Sequence, residues 1–142
     1  DDALLIDPEL RSEAAGALAS RVSQHPAVRA ALFAYQQDFA HQKGGAVLDG
    51  RDIGTVIAPD ADAKLFITAS SDVRAKRRHL EDSQTDYTDI LADIEARDAR
   101  DSERSAAPLR QAQDADLLDT SDMTIAAAVQ RAIALVEARI RR

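Results

Sequence analysis

The sequence has 142 residues, of which 45% are hydrophobic and 4% aromatic, so it has the size of one ordinary domain with an aliphatic core. It contains no cysteine, which excludes disulfide bonds, thiolate metal sites and a cysteine nucleophile. Its 18 basic and 25 acidic residues give a net charge of −7, which disfavours general binding to nucleic acid.

The predicted elements begin with two helices. Asp7 and Pro8 indicate the start of an alanine-rich helix that runs to about Val22, because proline is favoured at the first helical position. Pro26 begins a second helix, and the glycines at 44–45 are expected to end it. Apolar residues recur in this second helix at helical spacing, namely Val28, Ala31, Leu32, Tyr35 and Phe39.

Three short apolar runs predict β-strands. They are AVLD at 46–49, KLFIT at 64–68 and DLLDT at 116–120. Because helical segments separate the second run from the third, the pattern predicts an α/β fold, in which a parallel sheet carries helices on its faces in three layers.

Three further helices are predicted. The first covers 70–80, where a serine is available as a cap, and the second covers 86–104, with Asp86 as its cap. The third covers 124–140 and is amphipathic. One side of it carries Ile125, Val129, Ala132, Ile133, Val136 and Ile140.

Charged residues cluster directly after the predicted strand at 46–49. Asp49, Arg51 and Asp52 surround Gly50 at the carboxyl end of that strand, which is where α/β sheets bind ligands. Because buried unpaired charge is costly, these side chains either hold a ligand or form ion pairs with one another.

A second cluster lies in the segment 97–104. Arg97, Asp101 and Arg104 fall on one face of the predicted helix. Two arginines around an aspartate could bind a phosphorylated ligand, with the carboxylate accepting from ribose hydroxyls. The alternative is a solvated helix with ion pairs between residues four apart.

A third cluster lies at 74–78. Arg74, Arg77 and Arg78 also share a helix face, and three cations so close need an anion or carboxylates to neutralise them. One interpretation is a mobile lid over a polyphosphate. The alternative is neutralisation by the nearby acids Asp72, Glu81 and Asp82.

Taken together, several motifs are similar to those of bacterial cytidylate kinases (CMP kinases). They are VLDGRDIGTVIAPDADAKLFITAS, VRAKRR, ILADIEARDARDSERSAAPL and DADLLDTSDMTI, in that order, preceded by SRVSQHPAVRAALFAYQQDFA. The resemblance runs from about Arg11 to the end of the sequence. It implies a P-loop-type nucleoside monophosphate kinase fold and transfer of the γ-phosphoryl group of ATP to CMP or dCMP, with Mg²⁺.

The resemblance also implies a division of the chain. Residues 1–45 correspond to the end of the CMP-binding insert and its helices, and residues 46–142 to the C-terminal part of the core domain, with a lid at about 74–104. Proteins of this family begin with a strand, a glycine-rich phosphate loop that carries a lysine, and a helix, and no G-x-x-x-x-G-K-[ST] phosphate loop occurs in the 142 residues. We therefore expect that the first strand, the phosphate loop and the first helix are not represented in this sequence.

Site residues are implied position by position. Ser20, Arg29 and Asp52 would contact cytosine, and Arg51 and Arg104 the CMP phosphate. Arg97 and Asp101 would lie at the ribose and phosphate. Arg74, Arg77 and Arg78 would belong to the ATP-side lid, and Asp49 would help to hold magnesium. Arg51, Arg104, Arg77 and Arg78 are the residues expected to assist catalysis.

Two other interpretations stay open. The chain could be a truncated, non-catalytic module that keeps only the CMP-side binding surface, or a kinase for a different nucleoside monophosphate. We expect a cytoplasmic monomer that acts on small nucleotides. We expect no nucleic-acid partner because the net charge is −7, and no membrane partner because no apolar run is long enough for a membrane span.

Overall fold

A computed structural model describes residues 12–81, 83–103 and 108–141. The chain divides into two compact units, residues 1–47 and residues 48–142, each of which has its own internal contacts. The assignment of the first to a CMP-binding insert and of the second to a kinase core stays a prediction.

The first unit contains the two predicted helices. Helix α1 (Glu13–Val22) begins after Ser12, whose hydroxyl accepts a hydrogen bond from the amide of Ala15 at 3.2 Å. It ends at Val22 as predicted, whereas the start predicted at 7–8 lies outside the described residues. Helix α2 (Pro26–Ala40) begins with its proline, which confirms that prediction.

The end and the surface of α2 differ from the expectation. The helix ends at Ala40, and the predicted glycine stop lies in the turn beyond it, where Gly44 and Gly45 have φ of 102° and 88°. No described residue of α2 is buried, and Tyr35 of the predicted apolar stripe is 72% exposed. Helical spacing therefore predicted the helix, but the stripe stays uncovered within this unit.

The second unit is built on a small parallel sheet. Strands β1 (Leu65–Thr68) and β2 (Asp116–Asp119) pair in register, from Leu65 opposite Asp116 to Thr68 opposite Asp119. Both strands were predicted. Because they run parallel, their carboxyl ends meet at the same edge of the sheet.

The predicted strand at 46–49 is wrong. These residues form no ladder, and Val47 is 95% exposed. A strand exists only by hydrogen-bonding to a neighbour, and within the described ranges β1 and β2 pair with each other alone. An apolar run with strand-forming residues therefore stays irregular here.

Helices α3 (Ser71–Glu81) and α4 (Tyr87–Glu103) pack against each other as a hairpin. Their contact is a cluster of Ala75, Ile90 and Ile94, all at most 5% exposed. The predicted caps are confirmed: Ser70 accepts from the amide of Val73 at 3.3 Å, and Asp86 accepts from the amide of Thr88 at 2.8 Å.

Helix α5 (Ile125–Ile140) packs on both strands. Its N-terminus is capped by Thr124, whose hydroxyl accepts a hydrogen bond from the amide of Ala127 at 3.2 Å. The predicted apolar stripe is only partly covered, since Ala132 is half-buried but Ile125 is 86% exposed. An α/β fold with a small parallel sheet and flanking helices is thus confirmed, whereas the three-layer order and the P-loop type stay predictions.

A helix that crosses a membrane needs about 20 consecutive, mostly apolar residues. Among the described residues, no helix is both long and apolar enough to span a membrane.

Candidate anion-binding site

Arg51 and Asp52 lie on a bend that leads into a short π-helical segment, Ile53–Ile57. The carbonyl of Asp52 accepts from the amide of Ile57 at 3.3 Å and that of Ile53 from the amide of Ala58 at 2.7 Å, which is the hydrogen-bond spacing of a π-helix. Gly50 fits at this bend because it has no Cβ, and a Cβ there would lie only 2.9 Å from Cγ1 of Ile53. Sequence analysis missed the π-helical segment, whose wide turns recur at functional sites.

Asp101 is the centre of the charged cluster. It is 3% exposed and lies on the last turn of α4. Arg51 Nε donates a hydrogen bond to Asp101 Oδ2, and Arg97 Nε lies 3.9 Å from the same oxygen. The structure thus joins two of the predicted clusters, 49–52 and 97–104, through one buried carboxylate. Its burial argues against a fully solvated helix face.

Three arginines and one aspartate influence the charge of Arg97. Burial lowers the pKa of Arg97, and the neighbouring charge of Arg51 lowers it further. Asp101 opposes this effect on the pKa, and Arg78 and Arg100 add to it. Arg97 Nε is buried and has no hydrogen-bond acceptor among the described residues. A guanidinium in such surroundings is stabilised by an anion, and phosphate matches its geometry.

Arg74 and Arg77 are engaged with protein groups at the strand ends. Arg74 donates to both carboxylate oxygens of Asp98 and to the carbonyl of Ala69, which follows β1. Arg77 donates to the carbonyl of Thr120, which follows β2, at 2.6 Å. Of these two arginines, Arg74 is therefore neutralised by a protein acid, Asp98 of α4, whereas Arg77 binds a backbone carbonyl.

Of the nearby acids Asp72, Glu81 and Asp82, which were expected to neutralise these arginines, Asp72 has other partners and Glu81 is exposed. Asp72 accepts from the Tyr87 hydroxyl at 2.7 Å and lies 3.7 Å from the Lys76 ammonium group. Asp82 lies outside the described residues.

An open cavity of about 360 Å³ lies at the carboxyl ends of the two strands. This is the edge at which parallel sheets bind ligands. Its lining combines the ends of both strands with charged groups of the helix hairpin: Phe66, Ile67, Thr68, Ala69, Arg74, Arg77, Asp98, Ser102, Leu109 and Thr120.

Other predicted site residues are placed as follows. Ser20 and Arg29 are half-buried on α1 and α2 of the first unit, and Asp49 is exposed beside the bend. Arg104 lies outside the described residues. Within the described ranges, no group of three or more carboxylate, histidine or cysteine side chains could hold a metal ion. The ligand roles of all these residues stay predictions.

Sequence analysis missed three residues that shape this unit. Asp98 holds Arg74, and Thr120, 8% exposed, donates its hydroxyl to the Thr68 carbonyl at 3.0 Å. Lys64 has a side chain only 7% exposed and binds Asp114 at 2.7 Å. Only Asp98 had a usable signal, since it lies four residues after the buried Ile94 and so continues the packed face of α4.

The sequence was then compared with known proteins. A profile of the cytidylate kinase family matches residues 3–138. The cytidylate kinase of Cereibacter sphaeroides (strain KD131) is 57% identical over 143 aligned positions, which cover 98% of this chain and 69% of that protein. The cytidylate kinase of Xanthobacter autotrophicus (strain Py2) is 57% identical, covering 97% of this chain and 69% of that protein.

A third relative extends the range of organisms. The cytidylate kinase of Rhodopseudomonas palustris (strain TIE-1) is 57% identical over 136 positions, covering 93% of this chain and 64% of that protein. The chain thus spans about two thirds of the length of these relatives. From the match over nearly all its residues, the chain belongs to the cytidylate kinase family, a family of phosphotransferases.

Proposed function

We propose that this protein acts as a cytidylate kinase, which transfers the γ-phosphoryl group of ATP to CMP or dCMP and gives CDP or dCDP. The observation that carries the proposal is the Arg51–Asp101–Arg97 cluster, in which a buried Nε of Arg97 has no acceptor among the described residues. Membership of the family supports the choice of reaction.

The cluster suits the phosphate of the acceptor nucleotide. Phosphoryl transfer asks the protein mainly for alignment and for positive charge around the transferring group. In the proposal, Arg51 and Arg97 bind the CMP phosphate, and Asp101 holds both guanidinium groups in place and accepts from the ribose. Arg104 is proposed as a further phosphate contact.

Asp52 is proposed to distinguish cytosine from uracil. Cytosine presents an amino donor at N4, which a carboxylate accepts, whereas uracil presents the acceptor O4. A carboxylate facing O4 would lose its hydrogen bond, and this mismatch would select against UMP. In the first unit, Ser20 and Arg29 are proposed as donors to the O2 and N3 acceptors of cytosine.

The ATP side of the site is proposed from α3. Arg78 adds to the positive field at Arg97, and Arg77 lines the cavity at the strand ends, so both are proposed to assist transfer. Asp49, an exposed carboxylate, fits a magnesium ion that is held mostly by water and phosphate oxygens, as Mg²⁺ commonly is. When bound, the ion neutralises charge on the ATP phosphates. The 142 residues contain no G-x-x-x-x-G-K-[ST] loop to cradle these phosphates.

A steady-state panel tests the proposal. The protein is incubated with ATP and Mg²⁺ and with CMP, dCMP, UMP or AMP, and ADP release is measured. We expect turnover with CMP and dCMP at a kcat/KM at least about tenfold above that with UMP. Turnover favouring AMP or UMP would contradict the proposal and support a kinase for another nucleotide.

A calorimetric titration separates the remaining alternative. CMP binding without any turnover would support the non-catalytic binding module. The Asp52→Ala variant then tests base recognition: we expect a much larger loss of affinity for CMP than for UMP. Equal losses for the two nucleotides would remove Asp52 from that role.

A further inference from the structure

Arg74 and Asp98 form a two-point contact between the hairpin helices. Arg74 Nη1 donates to Asp98 Oδ1 at 3.0 Å, and Nη2 donates to Oδ2 at 2.5 Å. Arg74 Nε donates to the carbonyl of Ala69 at 3.0 Å. One guanidinium thus ties the end of β1, helix α3 and helix α4 together. The hydrogen bond to Asp98 raises the pKa of Arg74.

Along the face of α4 that packs against α3, apolar residues give way to charged residues at Asp98. Ile90 and Ile94 form the apolar part of this face, and Asp98 follows at the next helical turn, with Asp101 three residues later. Arg97 is the residue before Asp98. The rotation of α4 about its axis therefore decides at once whether Asp98 meets Arg74 and where Arg97 and Asp101 point.

We propose that Asp98 is a positioning residue that holds Arg74 and thereby fixes α4 so that Arg97 and Asp101 face the phosphate of a bound nucleoside monophosphate. This inference rests on the proposed function of the Arg51–Asp101–Arg97 cluster. It also gives Arg74 a task within the protein, beside the lid role that the family resemblance implied, because its guanidinium binds Asp98 and the carbonyl of Ala69.

The size of the effect follows from exposure. Both side chains are 37% exposed, so water screens the pair and its contribution is modest. A bidentate contact to a carboxylate is, however, directional, so losing it loosens the orientation of α4. We expect a loss of about fivefold in affinity for CMP, which corresponds to the upper range measured for exposed pairs.

The test is a double-mutant cycle on the protein, with CMP and cytidine as probes. Asp98→Asn, Arg74→Gln and the double variant are titrated calorimetrically, at a temperature where circular dichroism shows each to be folded. We expect each single variant to bind CMP about fivefold more weakly, the double variant to bind no more weakly than either, and cytidine affinity to stay within about twofold. Asp93→Asn makes the same change at an exposed position of α4 and should match wild type.

Arg74→Lys is a more conservative variant that keeps the inference testable if the other variants misfold. Lysine keeps the charge but cannot make the two-point contact, so we expect a loss in the same direction. The inference is overturned if Asp98→Asn binds CMP like wild type, or if the losses of the two single variants add. Equal losses for CMP and cytidine would also overturn it, because a general structural defect would weaken both. If wild type itself fails to bind CMP, the proposed function and this inference both fail, whereas CMP binding by wild type without any loss in Asp98→Asn overturns this inference alone.

Discussion

Replacing Asp101 by asparagine removes the carboxylate that pairs with both Arg51 and Arg97 while keeping the side chain's size. A charge-assisted hydrogen bond contributes roughly 1.5–3 kcal/mol to folding. The side chains of Arg51 and Arg97 are 35% and 31% exposed, so water compensates part of the loss. We expect the free energy of unfolding to fall by about 1–2 kcal/mol, which corresponds to roughly 3–8 °C in Tm for a chain of this length.

Urea denaturation and thermal melts measure this change. Asp93→Asn, the same change at an exposed site of the same helix, is the matched control and should stay within about 0.5 kcal/mol of wild type. The variant has one negative charge fewer at the cluster, so added inorganic phosphate should raise its Tm more than it raises that of wild type. If Asp101→Asn and Asp93→Asn are equally stable, and phosphate stabilises neither, the reasoning about this cluster is refuted.

Two further predictions concern the framework around the site. The hydrogen bonds from Thr88 lower the pKa of Asp86, so its capping stabilises the fold above about pH 4 and is lost as the pH falls through the folded-state value; an Asp86→Asn variant should show a shallower fall of Tm on acidification. Thr120→Val removes a buried hydroxyl that donates to Thr68 and accepts from Arg77, so we expect about 1–3 kcal/mol loss by urea denaturation, with Thr120→Ser close to wild type.

The helices of this protein could be predicted from the sequence because their ends carry local signals. Pro26 fixes the start of α2 through its own backbone geometry, and Asp86 caps α4 through a contact only two residues away. Such signals act over a few residues and need no tertiary partner. The strands at 65–68 and 116–119 were predicted from apolar runs rich in strand-forming residues.

The failures lie where the outcome depends on distant residues. The run at 46–49 has the composition of a strand, but no strand in the described ranges pairs with it. The partner of Arg74 is Asp98, 24 residues away, and not the sequence neighbours that composition offers. The joining of Arg51 to Asp101 spans 50 residues. The sequence thus predicted where charged residues cluster, whereas tertiary contacts decide which of them form ion pairs.

The most direct measurement is the ratio of CMP to cytidine affinity in wild type and in Arg97→Gln, determined by calorimetry under the same salt conditions. If the Arg51–Asp101–Arg97 cluster binds the nucleotide phosphate, CMP should bind wild type at least about tenfold more tightly than cytidine, and Arg97→Gln should remove most of that difference. A CMP-to-cytidine ratio near one in wild type, or a ratio that Arg97→Gln leaves unchanged, would contradict the assignment of this cluster to the phosphate.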